Sequence, residues 1–495
     1  MIKHLLISSF CCSFLLSEIH AQTNLGLEYQ RTFEKVNLED FDDVTLGNSA
    51  FLLTKQVNQH RFAYGMEIQE ALFGEFGGLY VFGCVGEFDY KPKGFPITIH
   101  SNLFLGGGGG AGAPDGSGLA YRYALGFKKA IYSNLHLLAR YSNYNFPTGK
   151  LSGEQIQLGF TFGLPSVFNQ PLSQSRYSKQ GFSVQGFLMN LDKDDAQRIS
   201  SAYPSTLVAV EYTFGWNRSL DALLRLQAAV SSDIDGFMAY YSGLSTTLLR
   251  YRNLQWKLNG LIGSCGGGGM NTSGGLAYAI ESGIEYRGST KSYMLYRGYN
   301  ESNTGMFSAD YYQLGIKYNF ESTLLFATKG RPILSIDEFI VSQLNVSTGV
   351  TYHKAPHAKD KNDFFYEDMI LMYFAISYPI HPAVELLGET RWAMGGDYGA
   401  YAEGIFGCSP RLFTHNQIDL SLPIQLVVAG GGGIDVGKGI GVQWSASLRY
   451  SYAKFASIAL SLGKLKMIDG SYDPLSFQIS FQQGLKFFKK TYKMK

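Results

Sequence analysis

The sequence predicts an all-β protein, a transmembrane antiparallel β-barrel laid out as three tandem eight-stranded units, with one barrel of about 24 strands as the alternative. Three observations lead there. A glycine run from Gly106 to Gly110 ends one alternating strand and opens the next, and weaker runs stand at Gly266–Gly269 and Gly430–Gly433. Long stretches alternate bulky apolar residues with small or polar ones, the period-two signature of a strand with one apolar face. Aromatic residues make up 15% of the chain but charged residues only 17%, well under the roughly 25% usual in soluble domains.

The first element is a targeting segment. Lys3 and His4 precede an apolar stretch from Leu5 to Leu16, and Ile19-His20-Ala21 stands before Gln22. This is a secretory signal peptide cut after Ala21; lipoprotein processing at Cys11 would need a small residue where Phe10 stands. No later stretch reaches the length of about 18 apolar residues that a spanning helix requires. With Lys+Arg 42 against Asp+Glu 40, the chain has no field to gather nucleic acid. Cys84, Cys265 and Cys408 remain after cleavage, without paired or zinc-type spacing.

Each glycine run leads into a strand of similar kind: GLAYRYALGF from Gly118, GLAYAIESGI from Gly275 and GIGVQWSASL from Gly439. Phe82-Gly83-Cys84 returns as Phe406-Gly407-Cys408, two lengths on at a period of about 160 residues. The expected domains are the signal peptide at 1–21, units at 22–165, 181–322 and 339–495, and linkers at 166–180 and 323–338.

In the first unit, strands are expected near 25–35, 44–56, 60–73, 79–91, 96–107, 118–130, 135–145 and 153–165. Short connections at Asn58-Gln59-His60, Lys93-Gly94-Phe95 and Ile131–Asn134 alternate with longer ones, as periplasmic turns alternate with surface loops. The last strand shows the faces best: Ile156, Leu158, Phe160, Phe162 and Leu164 oppose Gln155, Gln157, Gly159, Thr161 and Gly163. Tyr312 to Phe320 and Phe477 to Phe487 repeat the pattern. Small residues such as Ala63, Gly65, Ala120, Ala124 and Gly126 crowd the polar face, which suits a narrow lumen, while the bulky face suits lipid.

Charges on the polar face then become a lumen network. Glu67, Glu87, Arg122 and Arg140 belong to the first unit, Arg225, Glu281, Glu285 and Arg297 to the second, and Glu385, Glu389, Arg391 and Arg449 to the third. Both signs occur in each unit, as pairing away from bulk water requires. The long segments Pro165–Gln180 and Glu321–Glu338 read as linkers between separate barrels, whereas a single sheet would use tight turns there.

The stretch Leu103–Phe162, with LAYRYALGF, LLARYSNYNF and QIQLGFTF, resembles the closing strands of the small eight-stranded outer-membrane barrels of the OmpA transmembrane type. MLYRGYN with QLGIKYNF, and SLRYSY with QISFQQGLKF, match more loosely. The resemblance implies a Gram-negative outer-membrane protein, and the Ala21-Gln22 context a Bacteroidota-like source. No peptidoglycan-binding segment of that family is seen in the sequence.

Other patterns point to less. The glycine runs lack the Lys-Ser/Thr and helix of a phosphate loop and are expected to serve curvature, bulges or close packing inside the barrel. His100-Ser101-Asn102 and Ser142-Asn143 suggest a lipid A deacylase, but adjacent strand residues face opposite ways. His353 and His357 are expected in a solvated loop, and Asp192, Asp194 and Asp195 in another. The expectation is a non-enzymatic anchor or interaction platform without catalytic residue, metal or cofactor; its partners are outer-membrane lipid and other envelope proteins. A passive pore formed by one large barrel is the alternative, and a lipid A-modifying hydrolase the remote one.

Overall fold

The computed structural model describes residues 25–36, 43–74, 76–168, 176–191, 204–217, 219–231, 234, 236–288, 290–304, 307–324, 331–333, 336–355, 368–396 and 398–490. The expected signal peptide, His357 and the aspartates 192, 194 and 195 lie outside them.

Alternation becomes strand throughout. The first group is β1 (Leu25–Val36), β2 (Val44–Val57), β3 (His60–Phe73), β4 (Tyr80–Tyr90), β5 (Ile97–Gly109), β6 (Ala120–Tyr132), β7 (Leu135–Asn145) and β8 (Ser152–Phe168). Next come β9 (Arg176–Leu191), β10 (Ser205–Gly215), β11 (Leu220–Ser231), β12 (Met238–Tyr251), β13 (Leu254–Gly266), β14 (Leu276–Arg287), β15 (Lys291–Ser302) and β16 (Ser308–Ser322). After the short β17 (Arg331–Pro332) and a 3-10 turn at Ile336–Glu338 follow β18 (Phe339–Lys354), β19 (Met369–His381), β20 (Val384–Gly395) and β21 (Ala402–His415). The chain ends in β22 (Ile418–Ser421), β23 (Ile424–Gly430), β24 (Ile440–Ala453), β25 (Ala456–Met467) and β26 (Leu475–Lys490). β22 and β23 are one strand interrupted at Pro423, which has no N–H to give the ladder.

Neighbouring strands pair antiparallel, and the sheet closes. β1 pairs β8 from Leu25↔Phe168 to Glu34↔Gln157, which makes β1–β8 a closed barrel. β9–β26 form a second closed hydrogen-bonded network. Within it β9 pairs β16 from Leu191↔Ala309 to Ser178↔Ser322, and β18 pairs β26 from Phe339↔Lys490 to Lys354↔Leu475. The two parts of that network touch through Ser322↔Lys489 and β17 on β9. We call the closures β1–β8, β9–β16 and β18–β26 rings 1, 2 and 3. Closure leaves no sheet edge to be satisfied in hydrocarbon.

Alternation sets the faces. Leu125, Ile156, Leu314, Leu426 and Leu462 are among many large apolar residues exposed on the outside, where acyl chains rather than water would meet them. Inside, one end of each lumen is apolar: Leu46, Leu79, Phe104 and Phe146 in ring 1, Phe237, Cys265 and Phe307 in ring 2, Leu371, Tyr401 and Tyr472 in ring 3. This is the end that carries the glycine runs and longer loops. Towards the tight turns the lumens are ionic.

Outward faces that meet another ring are buried instead. Phe82 stacks on Trp392 with centroids 5.9 Å apart, and Cys84 Sγ lies 2.9 Å from Thr348 Oγ1, joining β4 to β18–β20. On the other side of ring 1, Arg31 Nη2 pairs with Glu70 Oε1 at 2.6 Å, and Ser264 Oγ of β13 donates to Glu70 Oε2 at 2.7 Å. Arg31 and Glu70 point out of ring 1, and a charge there in lipid would cost about 2–4 kcal/mol; ring 2 covers them.

The glycine runs sit at these contacts. A Cβ on Gly78 would lie 2.3 Å from the Gly267 nitrogen, and one on Gly107 2.4 Å from the Ala393 oxygen. A Cβ on Gly236 would lie 3.3 Å from the Gly431 nitrogen. Close packing inside the barrel is found at Gly106 and Gly108, where a Cβ would lie 2.5 Å from Phe104 and 2.2 Å from the Tyr80 oxygen of the same ring, and at Gly78 and Gly107 a second close approach is added between neighbouring rings, because backbones meet there without side chains between them.

Candidate functional site in the barrel lumens

The lumen of ring 1 is filled by ion pairs. Arg122, fully buried, grips Glu67 with two nitrogens at 2.7 and 2.9 Å, donates to Asn102 at 3.0 Å and packs over the Phe104 ring. Glu87 accepts from Lys128 and Gln30, each at 2.9 Å, and lies 3.7 Å from Arg140. Asp89 lies 2.8 Å from Arg61 and 2.6 Å from His100 Nδ1. Arg140 also bonds Gln157 and approaches His100 Nε2 at 3.2 Å. Glu87, Asp89 and His100 bring three potential metal ligands together, but Arg61, Lys128 and Arg140 already neutralise the carboxylates. The donor set is that of a salt-bridge network, and a divalent cation would have to displace one of those cations.

Ring 2 repeats the chemistry. Arg225 donates to Glu211 at 2.7 and 2.9 Å and to Glu281 at 2.8 Å. Asn259 and Tyr311 donate to the same Glu281 at 2.9 and 2.7 Å. Glu285 takes Lys317 at 2.7 Å and Lys257 at 3.3 Å. Such groups are tolerated in a low-dielectric interior only because nearly every lone pair and proton has a partner.

Ring 3 is more open. Arg391 reaches Glu403 at 3.0 Å, Glu389 at 3.1 Å and Gln443 at 2.7 Å. Arg449 pairs with Asp419 at 2.9 Å and Glu385 at 3.2 Å, and Arg411 with Glu385 at 2.8 Å. Between these clusters serines replace bulk, and a polar cavity of about 70 Å³ remains. Its loop end is stopped by Tyr401, Tyr472 and His353; Tyr472 lies 3.0 Å from His353 Nδ1, and Tyr401 donates to Glu403 at 2.7 Å.

Of the residues expected in the lumens, Glu67, Glu87, Arg122, Arg140, Arg225, Glu281, Glu285, Glu385, Glu389, Arg391 and Arg449 line them. Arg297 does not. Ser292, Met294 and Tyr296 fill the inward positions of β15, so the odd-numbered Arg297 projects outward, 66% exposed and 3.8 Å from Asp310. His353 is corrected as well: it stands next to last in β18 and is fully buried, not solvated, because its position has the inward parity of Thr351. His100 is buried in the lumen while the neighbouring Ser101 faces out and donates to the Phe88 carbonyl at 3.2 Å. Glu34, Arg61, Asp89, Lys128, Glu211, Lys257, Lys317 and Glu403 complete the networks. The signal for several was in the sequence, since Asp89 stands two residues from Glu87 and Lys128 six from Arg122.

A closed antiparallel sheet with an apolar belt outside and a polar lumen inside defines an outer-membrane β-barrel protein. No protein-family model matches the chain, and no curated protein does. Among solved structures it is similar to the siderophore receptor PirA from Acinetobacter baumannii, at 10% identity and TM-score 0.28, over 93% of this chain and 80% of that one. A mutant of the ferric enterobactin receptor PfeA from Pseudomonas aeruginosa gives 8% identity, TM-score 0.27 and coverage of 93% and 80%. The P. aeruginosa protein OccK5 (OpdH) gives 8%, 0.20, and 94% and 98%. The resemblance to the small eight-stranded barrels of the OmpA type, three of them in tandem, is corrected: the solved structures found similar are large outer-membrane barrels, and the described residues form β1–β26. The motifs behind the resemblance report membrane alternation, which barrels of any size share.

Proposed function

We propose that the chain is a non-enzymatic outer-membrane protein whose sheet folds as three packed eight-stranded barrels, serving as a membrane anchor or interaction platform. The observation that carries this reading is the strand pairing that closes β1 on β8, β9 on β16 and β18 on β26. Two features support it. The charges in rings 1 and 2 are paired with one another, which leaves side chains rather than water along the axis. The glycine contacts also run in cyclic order: the first run against Trp392, Ala393 and Gly399, the second against Gly77 and Gly78, the third at Gly236. A head-to-tail contact that closes after three copies is what a triplicated unit would make.

Residues 22–165 expressed alone in detergent are expected to fold to a heat-modifiable species, and the whole chain to show little conductance in planar bilayers. A stable, large conductance from the whole chain together with failure of the isolated segment to fold would overturn the reading. It would favour passive transport through one wide barrel. A narrower transport reading has its own observation, the polar cavity of ring 3. A hydrolase reading would need lipid A deacylation that is lost in Ser101→Ala; the outward Ser101 and buried His100 argue against it.

A further inference from the structure

We infer that the lumen of ring 3 is a blind binding chamber, open towards the tight turns, for a small neutral polyol of glycerol to erythritol size. The three lumens share an ionic character, and in ring 3 small hydroxyl side chains stand between the ion pairs around a cavity. Ser347, Ser377, Ser409, Ser445, Ser476 and Ser480 line the cavity. Its volume of about 70 Å³ corresponds to about five to seven water positions at roughly 10–15 Å³ each, which brackets the heavy-atom count of glycerol and comes close to that of erythritol.

Exposure gives the direction. Arg411, Arg449 and Asp419 near the turns are 28%, 17% and 15% exposed, whereas Arg391 and Glu403 further in are 1% and 0%. Beyond them Tyr401, Tyr472, Leu465 and Met467 close the lumen with apolar surface. A solute therefore enters from the turn side and goes no further.

Charge and hydrogen bonding give the ligand class. The charged groups that line the cavity are two carboxylates, Glu385 and Glu389, and two guanidiniums, Arg449 and Arg391, paired with one another, so its wall carries no net charge that calls for an ion. Serine hydroxyls and the amides of Gln425, Gln443 and Gln478 offer donors and acceptors side by side, which matches hydroxyl groups. Three atoms of lining residues, Arg391 Nε, Gln425 Nε2 and Ser476 Oγ, are buried without a hydrogen-bond partner, and a buried polar atom left so costs about 1–3 kcal/mol until a guest supplies one.

The test uses the chain from Gln22 onward, in detergent, with Cys84, Cys265 and Cys408 replaced by alanine. Ser445→Cys in ring 3 and Ser142→Cys in the filled lumen of ring 1 are exposed to a small neutral methanethiosulfonate. Ser445→Cys is expected to label roughly tenfold faster, as a hydrated site should beside a packed one. Glycerol or erythritol should slow it several-fold where equimolar sodium chloride does not. Equally slow labelling at both positions would show a closed lumen, and labelling untouched by polyol would show a chamber for water only; either result overturns the inference. Should the cysteine-free chain fail to fold, saturation-transfer NMR of erythritol on the unsubstituted protein replaces labelling, with Ser445→Trp to fill the chamber. Transfer that Ser445→Trp abolishes supports the site, and transfer equal in both proteins refutes it.

Discussion

At the scale of single residues, burial decides what a charge is worth. Arg225 holds two glutamates that make no other ion pair among the described residues, so Arg225→Met strands both in a dry lumen. The expected loss is about 3–5 kcal/mol, read as a lower midpoint of urea unfolding in detergent. Replacing Glu211 and Glu281 by leucine in the same protein should recover much of it. Arg297 gives the contrast, since its exposed pair with Asp310 predicts that Arg297→Gln changes the midpoint by under about 0.5 kcal/mol. A large effect at Arg297 and none at Arg225 would invert the lumen assignment. Asp115, in the loop between β5 and β6, makes a pH prediction. Burial pushes its carboxyl up to about 6, although the Gly110 N–H donates to it at 2.8 Å. Because the folded value lies above the unfolded one, its contribution is present in full below about pH 4 and fades as pH rises through about 6. The difference in unfolding free energy between the native chain and Asp115→Asn should therefore shift by about 1–3 kcal/mol between pH 4 and 7. A difference that stays flat with pH would remove Asp115 from the account.

At the scale of elements, the glycines at strand ends work by letting backbones touch. Gly78 has φ +100° and the backbone of Gly267 where a side chain would begin. Gly78→Leu should therefore cost upwards of about 2 kcal/mol by strain and overpacking together, and expose the β3–β4 connection to protease. Gly112 is the control: φ is +70° but nothing lies within reach of its Cβ, so Gly112→Ala should cost only about 1 kcal/mol. Equal sensitivity at both positions would mean that conformation alone, not contact between rings, explains the runs. Strand positions were legible in the sequence, because alternation is a local property; the expected 60–73 and 135–145 are β3 and β7 as observed. Arg297 and His353 were misread for the same reason. Inward parity shows in a strand only once its neighbours are anchored, and a proline-containing segment after His353 masked the strand before it.

At the scale of the whole molecule, the outward faces divide into those that meet lipid and those that meet another ring. Cys84 and Thr348 mark such a contact between β4 and β18, with Sγ and Oγ1 2.9 Å apart. Thr348→Cys should form a disulfide with the native Cys84 under mild oxidation. That bond links positions 264 residues apart and should move the unfolded chain to higher mobility in a non-reducing gel. A chain that folds and yet never crosslinks would separate the rings. The polar patch of Arg31, Glu70 and Ser264 carries the same message in charge. These residues alternate with inward ones and sit where lipid-facing side chains belong, so only a neighbouring ring accounts for them.

By itself the sequence determined the strands, the greasy and polar faces and the need for paired charges inside, because period-two alternation and the cost of an unpaired charge act locally along the chain. Which strand closes on which, which outward residues are shielded by a neighbouring ring, and where a cavity survives in a lumen of serines were decided by the tertiary structure alone. Each of these depends on register and packing between segments distant in sequence, and no local pattern encodes a distance across space.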